Sequence, residues 1–404
     1  MKKILVYHPT GNQNVRHLLI GLSSKHILQS FHTTIAVFRS SFYYPLLSVR
    51  LFQRIARRTF PNEIKNKTIR YPILECLLFM GKKTYKGKQL SASLVNKIIA
   101  KDVAAYINKH SKKIDSVYSF PYGSLQLFEA AKNNGIKCVY ELTTGYYKTV
   151  ISIAEKEKTI NPHLASTIKL YNEPKTELAK LDKELTLADY VLCASSYIKT
   201  SLALNGYDEN KIKVIPYGFP LVNEKKVYFD GKHELKVLYA GNITQLKGIS
   251  YIRDAVSYFK GKVVLTLAGT ISDKSNSTLM SFIQDHKYEG SLDHDKLLNL
   301  MHENDLFIFP TLSDGYGMVV SEAMSQGTPV ITTPNSCGPD IIRSGENGWI
   351  VPVQDSLSIR MIIQSILDNP NTLKQVSLNA LKTAAMRPWS MYSSDVANFL
   401  ESIS

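Results

Sequence analysis

Short β-branched or apolar runs alternate along the chain with longer stretches whose apolar positions fall three and four apart. The first kind reads as buried strands and the second as amphipathic helices. Their alternation predicts βαβ units and parallel sheets. In the first half the runs predict strands at Lys3–Tyr7, Thr33–Phe38, Asp115–Phe120, Lys137–Leu142, Tyr190–Ala194 and Lys213–Pro216. Helical periodicity lies between them, as at Ser91–Lys109, Leu125–Asn133 and Glu173–Thr186. After a polar stretch, Val222–His233, a second series predicts strands at Lys236–Ala240, Val263–Ala268, Leu306–Pro310, Pro329–Thr332 and Trp349–Val351. Its predicted helices are Lys247–Phe259, Asp293–Glu303, Met318–Gln326 and Ser356–Asp368. The strand-to-helix junctions tend to carry Gly, Asn, Ser or Asp, which turn and cap. A domain boundary is expected near Phe219–His233. Pro388–Ile403 reads as a separate amphipathic helix with Trp389, Tyr392, Val396, Phe399 and Leu400 on one side.

Tyr43–Lys88 fits this alternation poorly. Arg50, Arg54, Arg57 and Arg58 recur there with Leu47, Leu51, Ile55 and Phe60 between them. That is the pattern of a basic amphipathic helix able to lie on an anionic membrane, or of a solvated basic face over a small core. Charge sharpens the picture. The net charge is +15, and residues 1–220 hold 33 Lys+Arg against 15 Asp+Glu, whereas residues 221–404 hold 16 against 19. Residues 50–90 alone carry 11 basic and 2 acidic side chains. A one-sided basic field attracts an anionic lipid, nucleic acid or small molecule. None of the usual nucleic-acid modules is present, so no nucleic-acid partner is expected.

The four cysteines, Cys76, Cys138, Cys193 and Cys337, form no CxxC pair and suggest neither zinc nor a disulfide framework. The apolar run after Met1 is too short for a signal-peptide core, and no run reaches the ~18 residues a spanning helix needs. A cytoplasmic protein, free or peripheral on the membrane face, is the expectation.

The candidate chemistry concentrates in Pro310-Thr-Leu-Ser-Asp314-Gly-Tyr-Gly-Met-Val-Val-Ser-Glu322. A strand ends at Pro310, a glycine-containing loop follows, and a helix opens near Met318. The free N–H groups and positive end of such a helix suit a diphosphate. Asp314 stands at the loop mouth, and Glu322 lies about one turn into the helix, where it can accept hydrogen bonds from ribose hydroxyls.

This segment, with its continuation Ala323-Met-Ser-Gln-Gly327-Thr-Pro-Val, resembles the acidic-x7-acidic signature of retaining GT-B glycosyltransferases of the large family four group. Leu187–Ser195, Asp208–Gly218, Tyr239–Gly248 and Ser344–Val351 resemble further parts of that family. The likeness is specific over about residues 185–355 and loose before that. It implies two Rossmann-like domains facing across a cleft. Residues 1–220 would form an acceptor-binding domain and 221–385 a nucleotide-sugar-binding domain. Residues 386–404 would form a helix packing back on the first domain.

The resemblance also implies roles. Asp314 would contact donor-sugar hydroxyls near the anomeric centre. The amides of Gly315, Tyr316, Gly317, Met318 and Val319 would hold sugar and phosphate, and Glu322 the ribose. Lys247 would offset charge growing on the leaving diphosphate, with Gly241 and Asn242 in the same loop. The first acid is usually Glu and is Asp314 here. The family usually has Arg where Asn242 stands, and Asn offers a neutral donor in place of a charge. In the first domain, the loop His8-Pro-Thr-Gly11-Asn-Gln-Asn14 would meet the donor, with Gly11 the leading candidate. His8 reads as a loop residue facing ligand or as a strand-end histidine. Glu141 stands about where many relatives carry a His near the reacting carbon. It reads as a catalytic carboxylate or as a loop acid paired with a lysine. Asp293-His-Asp295 looks like a metal-binding DxD, but precedes Lys-Leu-Leu-Asn-Leu-Met. It reads as an N-cap and a first-turn acid, so no metal is predicted.

The activity implied is transfer of a sugar from a nucleotide diphosphate-sugar co-substrate to an acceptor hydroxyl with retention. No cofactor is needed. The acceptor would be a carbohydrate or lipid-linked glycan, as in bacterial surface polysaccharide or glycolipid assembly. The alternatives are a same-fold sugar-nucleotide epimerase or phosphorylase, or a catalytically degenerate binding subunit.

Overall fold

The structure, a computed structural model, describes residues 2–41, 44, 53–79, 81, 84–85, 88–89, 91–170 and 175–403. It has the two-sheet α/β architecture that the periodicity predicts. The first sheet has seven parallel strands in the spatial order Ile212–Val214, Tyr190–Cys193, Lys137–Leu142, Ser116–Ser119, Ile4–Tyr7, Leu28–Thr33, Thr68–Arg70. The second has six in the order Lys287–Tyr288, Val263–Ala268, Leu235–Ala240, Leu306–Phe309, Val330–Thr332, Trp349–Ile350. Central strands such as Ile4–Tyr7 and Leu306–Phe309 are buried at every position. Burial on both faces is why they read as unbroken apolar runs instead of alternating ones.

In each sheet the strand order reverses once, between Ile4–Tyr7 and Ser116–Ser119, and between Leu235–Ala240 and Leu306–Phe309. The crevice outside the carboxyl ends of strands at such a reversal is where open α/β sheets bind ligands. The carboxyl-end loops of the two sheets face each other. Tyr197 OH lies 2.6 Å from Ser313 Oγ, the Ser196 amide donates to Asp340 Oδ2 at 2.9 Å, and Ser195 Oγ donates to the Gly315 carbonyl.

The chain crosses between the halves twice, side by side. The Phe219 amide donates to Arg387 O at 2.9 Å, and Arg387 Nη2 donates to Pro216 O at 2.6 Å. The second crossing leads into helix Trp389–Ile403, which packs on the first helix, Gln13–Ser24. Contact is close enough that a Cβ at Gly21 would overlap the Ser393 carbonyl. The returning C-terminal helix expected from Trp389, Tyr392, Val396, Phe399 and Leu400 is thus present, with Phe399 half-buried and the other four buried.

Several local expectations are corrected. The second strand is Leu28–Thr33, not Thr33–Phe38. The first helix ends at Ser24, and His26, at φ 57°, turns the chain straight back beside Ile4. Position in the sheet overrides the stronger β-propensity of the later residues. The edge strands Thr68–Arg70 and Lys287–Tyr288 are too short to show a period.

Among the described residues the expected basic amphipathic helix does not extend through Arg57, Arg58 and Phe60. Leu47, Arg50 and Leu51 lie outside the described residues, and the helix that follows is the single turn Gln53–Ala56. Thr59–Phe60 then pairs with Val37–Phe38. Arg58 turns inward, donating to Glu75 Oε1 at 2.7 Å and to Thr10 O at 3.0 Å. Cys138, Cys193 and Cys337 are buried free thiols, and Cys76 is half-buried and free. Among the described residues, no helix is long and apolar enough to cross a membrane.

Candidate active site

The loop from Pro310 to Gly317 leaves the carboxyl end of strand Leu306–Phe309 and enters helix Met318–Ser325. Two features force its path. Gly248, at φ 76°, lies against the Pro310 carbonyl, where a Cβ would overlap it. Gly315 lies against the Thr143 carbonyl of the first half, again with no room for a Cβ. Only glycine allows both the left-handed turn at 248 and the close approach at 315.

The adjacent loop, 241–248, runs from strand Leu235–Ala240 into the turn Gln245–Lys247. It brings Lys247 to the acid that the sequence analysis selected. Lys247 Nζ donates to Asp314 Oδ2 at 2.7 Å and to Ser313 O at 2.8 Å, and sits 5.8 Å from the centroid of the Phe309 ring. Lys247 and Asp314 keep 17% and 26% of their side-chain exposure, so the pair is reachable from the cleft. Below it, the buried Tyr239 donates to the Asn242 carbonyl at 2.6 Å. Burial and the Asp314 charge push the Tyr239 hydroxyl well above the usual phenol range. Asn242 and Gly241 follow in the same loop, with Asn242 exposed.

Glu322 is 6% exposed, and no hydrogen bond to its carboxylate is found among the described residues. The nearest charged partner is His294, whose Nδ1 lies 3.6 Å from Glu322 Oε1. Burial raises the carboxyl's pKa, and the His294 charge opposes the rise. Without a hydrogen-bond donor of its own, this carboxylate is left able to accept hydrogen bonds from a ligand. Met318 and Val319 are half-buried at the helix start. The Tyr316 side chain is buried away from the loop mouth. Its ring lies 4.9 Å from Tyr217, and its hydroxyl donates to Tyr217 O at 3.3 Å, so at this position only the backbone is open to a ligand.

In the first half, the His8 ring shapes the loop that holds Gly11. Its Nδ1 accepts from the amides of Gly11 at 2.7 Å and Thr10 at 3.1 Å. Burial, with the nearby Arg58 charge, lowers its pKa to about 3, so the ring is neutral and committed to the loop. Glu141 differs from the expected cleft-facing acid. It is 2% exposed. It accepts from Tyr118 OH at 2.6 Å, Tyr217 OH at 2.8 Å and Asn14 Nδ2 at 2.8 Å. Burial raises its pKa against these three bonds. Both oxygens point into the protein, because a strand residue next to Tyr140, which faces the opposite layer, must face the first helix and the crossing.

Asp293 caps helix His294–Glu303, accepting from the Lys296 amide at 3.0 Å. Among the described residues no group of three or more His, Cys, Asp or Glu is placed to hold a metal ion. The sequence reading passed over His294 because it appeared only as the middle of this capping segment. Its proximity to Glu322 has no signal in a linear sequence. Tyr197 and Ser313, which meet across the cleft, were missed for the same reason.

Comparison with known proteins agrees with this arrangement. Residues 223–383 match the family Glycosyl transferases group 1. An uncharacterized glycosyltransferase of Methanocaldococcus jannaschii is 25% identical over 205 residues, 50% of this chain and 57% of that protein. The capsular polysaccharide biosynthesis glycosyltransferase CapM of Staphylococcus aureus is 25% identical over 223 residues, 48% of this chain and 57% of CapM. The chain spans about half the length of the curated relatives it matches. Among solved structures, Anabaena HepE in complex with UDP and glucose superposes over 100% of both chains with a TM-score of 0.63 at 16% identity. The apo form of the lipopolysaccharide outer core galactosyltransferase WaaB superposes over 99% of this chain and 100% of its own, with a TM-score of 0.62 at 14% identity. At such identities these likenesses speak for the fold. The domain built around Lys247, Asp314 and Glu322 thus matches the glycosyl transferases group 1 family over residues 223–383, and the chain as a whole has a GT-B fold.

Proposed function

We propose that this protein is a retaining, metal-independent glycosyltransferase that moves a sugar, a hexose being the first candidate, from a nucleotide diphosphate-sugar to an acceptor hydroxyl. The observation that carries the reading is the Lys247–Asp314 pair at 2.7 Å, set beside a helix N-terminus with Glu322 behind it. Glu322 takes the ribose. The amides of Gly315, Gly317, Met318 and Val319 take sugar and phosphate. Lys247 transfers its charge from Asp314 to the diphosphate, which frees Asp314 for the sugar hydroxyls. A single well-placed donor of this kind is worth roughly 3–4 kcal/mol as charge grows on a leaving group. As the diphosphate leaves, the acceptor hydroxyl attacks the same face, so anomeric configuration is kept. Glu141 acts as a positioning group, tying the first helix to the crossing at Tyr217.

The acceptor is proposed to be an anionic or lipid-linked glycan of surface-polysaccharide or glycolipid assembly, taken up at a cytoplasmic membrane face. Two observations support an anionic partner. The first half is strongly basic. An open groove of about 820 Å³ beside the first helix is lined by Arg16, Arg39 and Lys67 with Glu63 as its one acid. The names of CapM and WaaB point to the same kind of product.

The test is transfer or hydrolysis with UDP-, GDP-, ADP- and dTDP-sugars, preceded by a thermal-shift screen of the same compounds. Lys247→Ala and Asp314→Ala are each expected to lower turnover by about 10²–10³-fold with the fold intact; unchanged activity in both removes the assignment. Asn242 and the mutually neutralised Lys247–Asp314 pair favour one rival, a degenerate binding subunit. Calorimetric binding of a sugar nucleotide without turnover of any acceptor would select it.

A further inference from the structure

Helix Tyr147–Ile160 and the turn Pro162–Thr167 belong to the first half by sequence, yet they dock on the second. Thr244 Oγ1 donates to Thr167 O at 2.7 Å, and the Gln245 amide donates to Thr167 Oγ1 at 3.0 Å. Asn276 Nδ2 donates to His163 O at 2.7 Å, and Lys169 Nζ to Ser272 O at 2.6 Å.

At the centre of this contact lies Glu157, which is fully buried. Its Oε1 accepts from Asn161 Nδ2 at 2.6 Å, Gln245 Nε2 at 2.6 Å and Tyr251 OH at 2.9 Å. Its Oε2 accepts from Gln354 Nε2 at 2.6 Å. Gln354 holds φ 65°, a left-handed conformation that a residue with a side chain adopts only under constraint. Four donors converge on one carboxylate, none of them is charged, and three come from the second half of the chain. Burying an anion without a counter-ion is justified energetically only by such dense donation. Removing the acceptor strands every donor.

We propose that Glu157 is a positioning residue of the donor site, fixing from the first half the turn that carries Lys247. The route is short. Gln245, held by Glu157, opens the turn Gln245–Lys247, and its Oε1 accepts the Ser250 amide at 3.1 Å. Within the turn, Leu246 O accepts the Leu312 amide at 3.0 Å, which ties it to the Asp314 loop. The carboxylate forces the Gln245 amide to present its nitrogen, so the side chain has one orientation, and the turn inherits it. Residues 157–169 then move with the nucleotide-binding half, whichever way the cleft opens.

The inference rests on the donor reading above, so the test pairs a structural readout with a kinetic one. Glu157→Gln places an amide nitrogen among four donors. Hydrogen exchange at the Gln245 and Ser250 amides is expected to quicken about ten-fold or more. The donor KM is expected to rise about ten-fold while the acceptor KM holds. The double variant Glu157→Gln with Gln245→Glu reverses the donor–acceptor sense of the pair, and both readouts should return towards wild type. Wild-type exchange at these amides in Glu157→Gln overturns the proposal, and so does faster exchange with an unchanged donor KM. Should Glu157→Gln not fold, Gln354→Ala removes one donor from the same carboxylate and is read identically. A wild-type protein that takes no sugar nucleotide would sink the donor reading alone, because the exchange comparison would still decide whether Glu157 fixes the turn.

Discussion

Lys247 Nζ lies 2.7 Å from Asp314 Oδ2, so the one cation of the 241–248 loop and the one acid of the 310–317 loop are each other's partners. Both loops spring from the two strands where the order of the second sheet reverses. Under the proposed function a diphosphate, with more negative charge than one carboxylate, draws the ammonium away, and the pair serves as an exchangeable contact. Lys247→Ala is expected to lower kcat by about 10²–10³. Its melting temperature should stay near wild type, since a pair that solvent still reaches contributes only about 1 kcal/mol or less. In the Lys247→Ala/Asp314→Ala double variant the losses should not add, because either change alone breaks the exchange. Steady-state donor hydrolysis by the four proteins measures this; fully multiplicative losses would count against it.

Glu322 invites a trade between stability and function. Its burial raises its pKa, so the folded protein holds a proton that the unfolded chain releases more readily. Stability from this group is fully present below the unfolded value and is lost as pH rises through the folded one. Glu322→Gln keeps the shape and removes the charge. It should be more stable than wild type on the alkaline side of the folded carboxyl's titration and lose that advantage on the acid side, while the donor KM rises about 10–100-fold. Urea unfolding followed across the pH range, alongside donor titration, checks both halves. A destabilised variant with normal KM contradicts the assignment.

Much of this arrangement is legible in the sequence for a physical reason. Parallel strands buried on both faces leave continuous apolar runs, and strands such as Val263–Ala268 and Lys137–Leu142 fall where the runs predict them. Asp314 and Glu322 stand out as candidates because loop glycines and a helix start mark the carboxyl end of a strand, whereas Lys247 stands out only through the resemblance of its loop to the family. What escapes is whatever depends on distant residues meeting. Glu141 looks like a cleft acid because it follows Val139 and Tyr140 at a strand end. Only the fold reveals Tyr118, Tyr217 and Asn14 waiting around it. Helix Pro370–Met386 has Leu373, Val376, Ala380 and Ala384 at helical spacing behind a proline at its first position, and was readable but unread. Helix Tyr147–Ile160 is mostly polar outside Val150 and Ala154, because one of its buried positions is Glu157 itself.

Gly315 sets how closely the halves approach. A Cβ there would overlap the Thr143 carbonyl, and the loop cannot yield while Ser195 Oγ donates to the Gly315 carbonyl. Gly315→Ala should therefore hold the cleft open by a small amount, without unfolding either sheet. The expected outcome is a loss in kcat/KM of about 10²-fold, the scale of a 1 Å misplacement of reacting groups. Small-angle scattering should show a larger radius of gyration with an unchanged far-ultraviolet spectrum. Full activity in this variant would mean that the contact is not part of the working geometry.

Two histidines of the first half predict its response to acid. Burial lowers the pKa of both His8 and His32 to about 3, against an ordinary value near 6.5. Each is neutral for a geometric reason. His8 Nδ1 accepts two amide hydrogens, and His32 sits between Ser30 Oγ at 3.0 Å and Tyr71 OH at 2.9 Å. The unfolded chain protonates both below about 6.5 while the folded protein resists until about 3, so the stability they contribute is present above 6.5 and is lost as pH falls through that window. At pH 5 these two groups together bind about two more protons in the unfolded state, a contribution of about 2–3 kcal/mol lost per pH unit, to which His17, lowered to about 4, adds and which Glu184, raised to about 7, opposes. His8→Gln should remove about half of this slope, and His32→Gln the other half, in urea unfolding followed from pH 7 to pH 5. His8→Gln should also disturb the loop at Gly11 and raise the donor KM, whereas His32→Gln should leave the donor KM unchanged, because the His32 side chain turns towards Ser30 and Tyr71 and only its backbone carbonyl meets the loop, accepting the His8 amide at 3.2 Å. A slope that neither substitution alters would show that other groups carry the acid response.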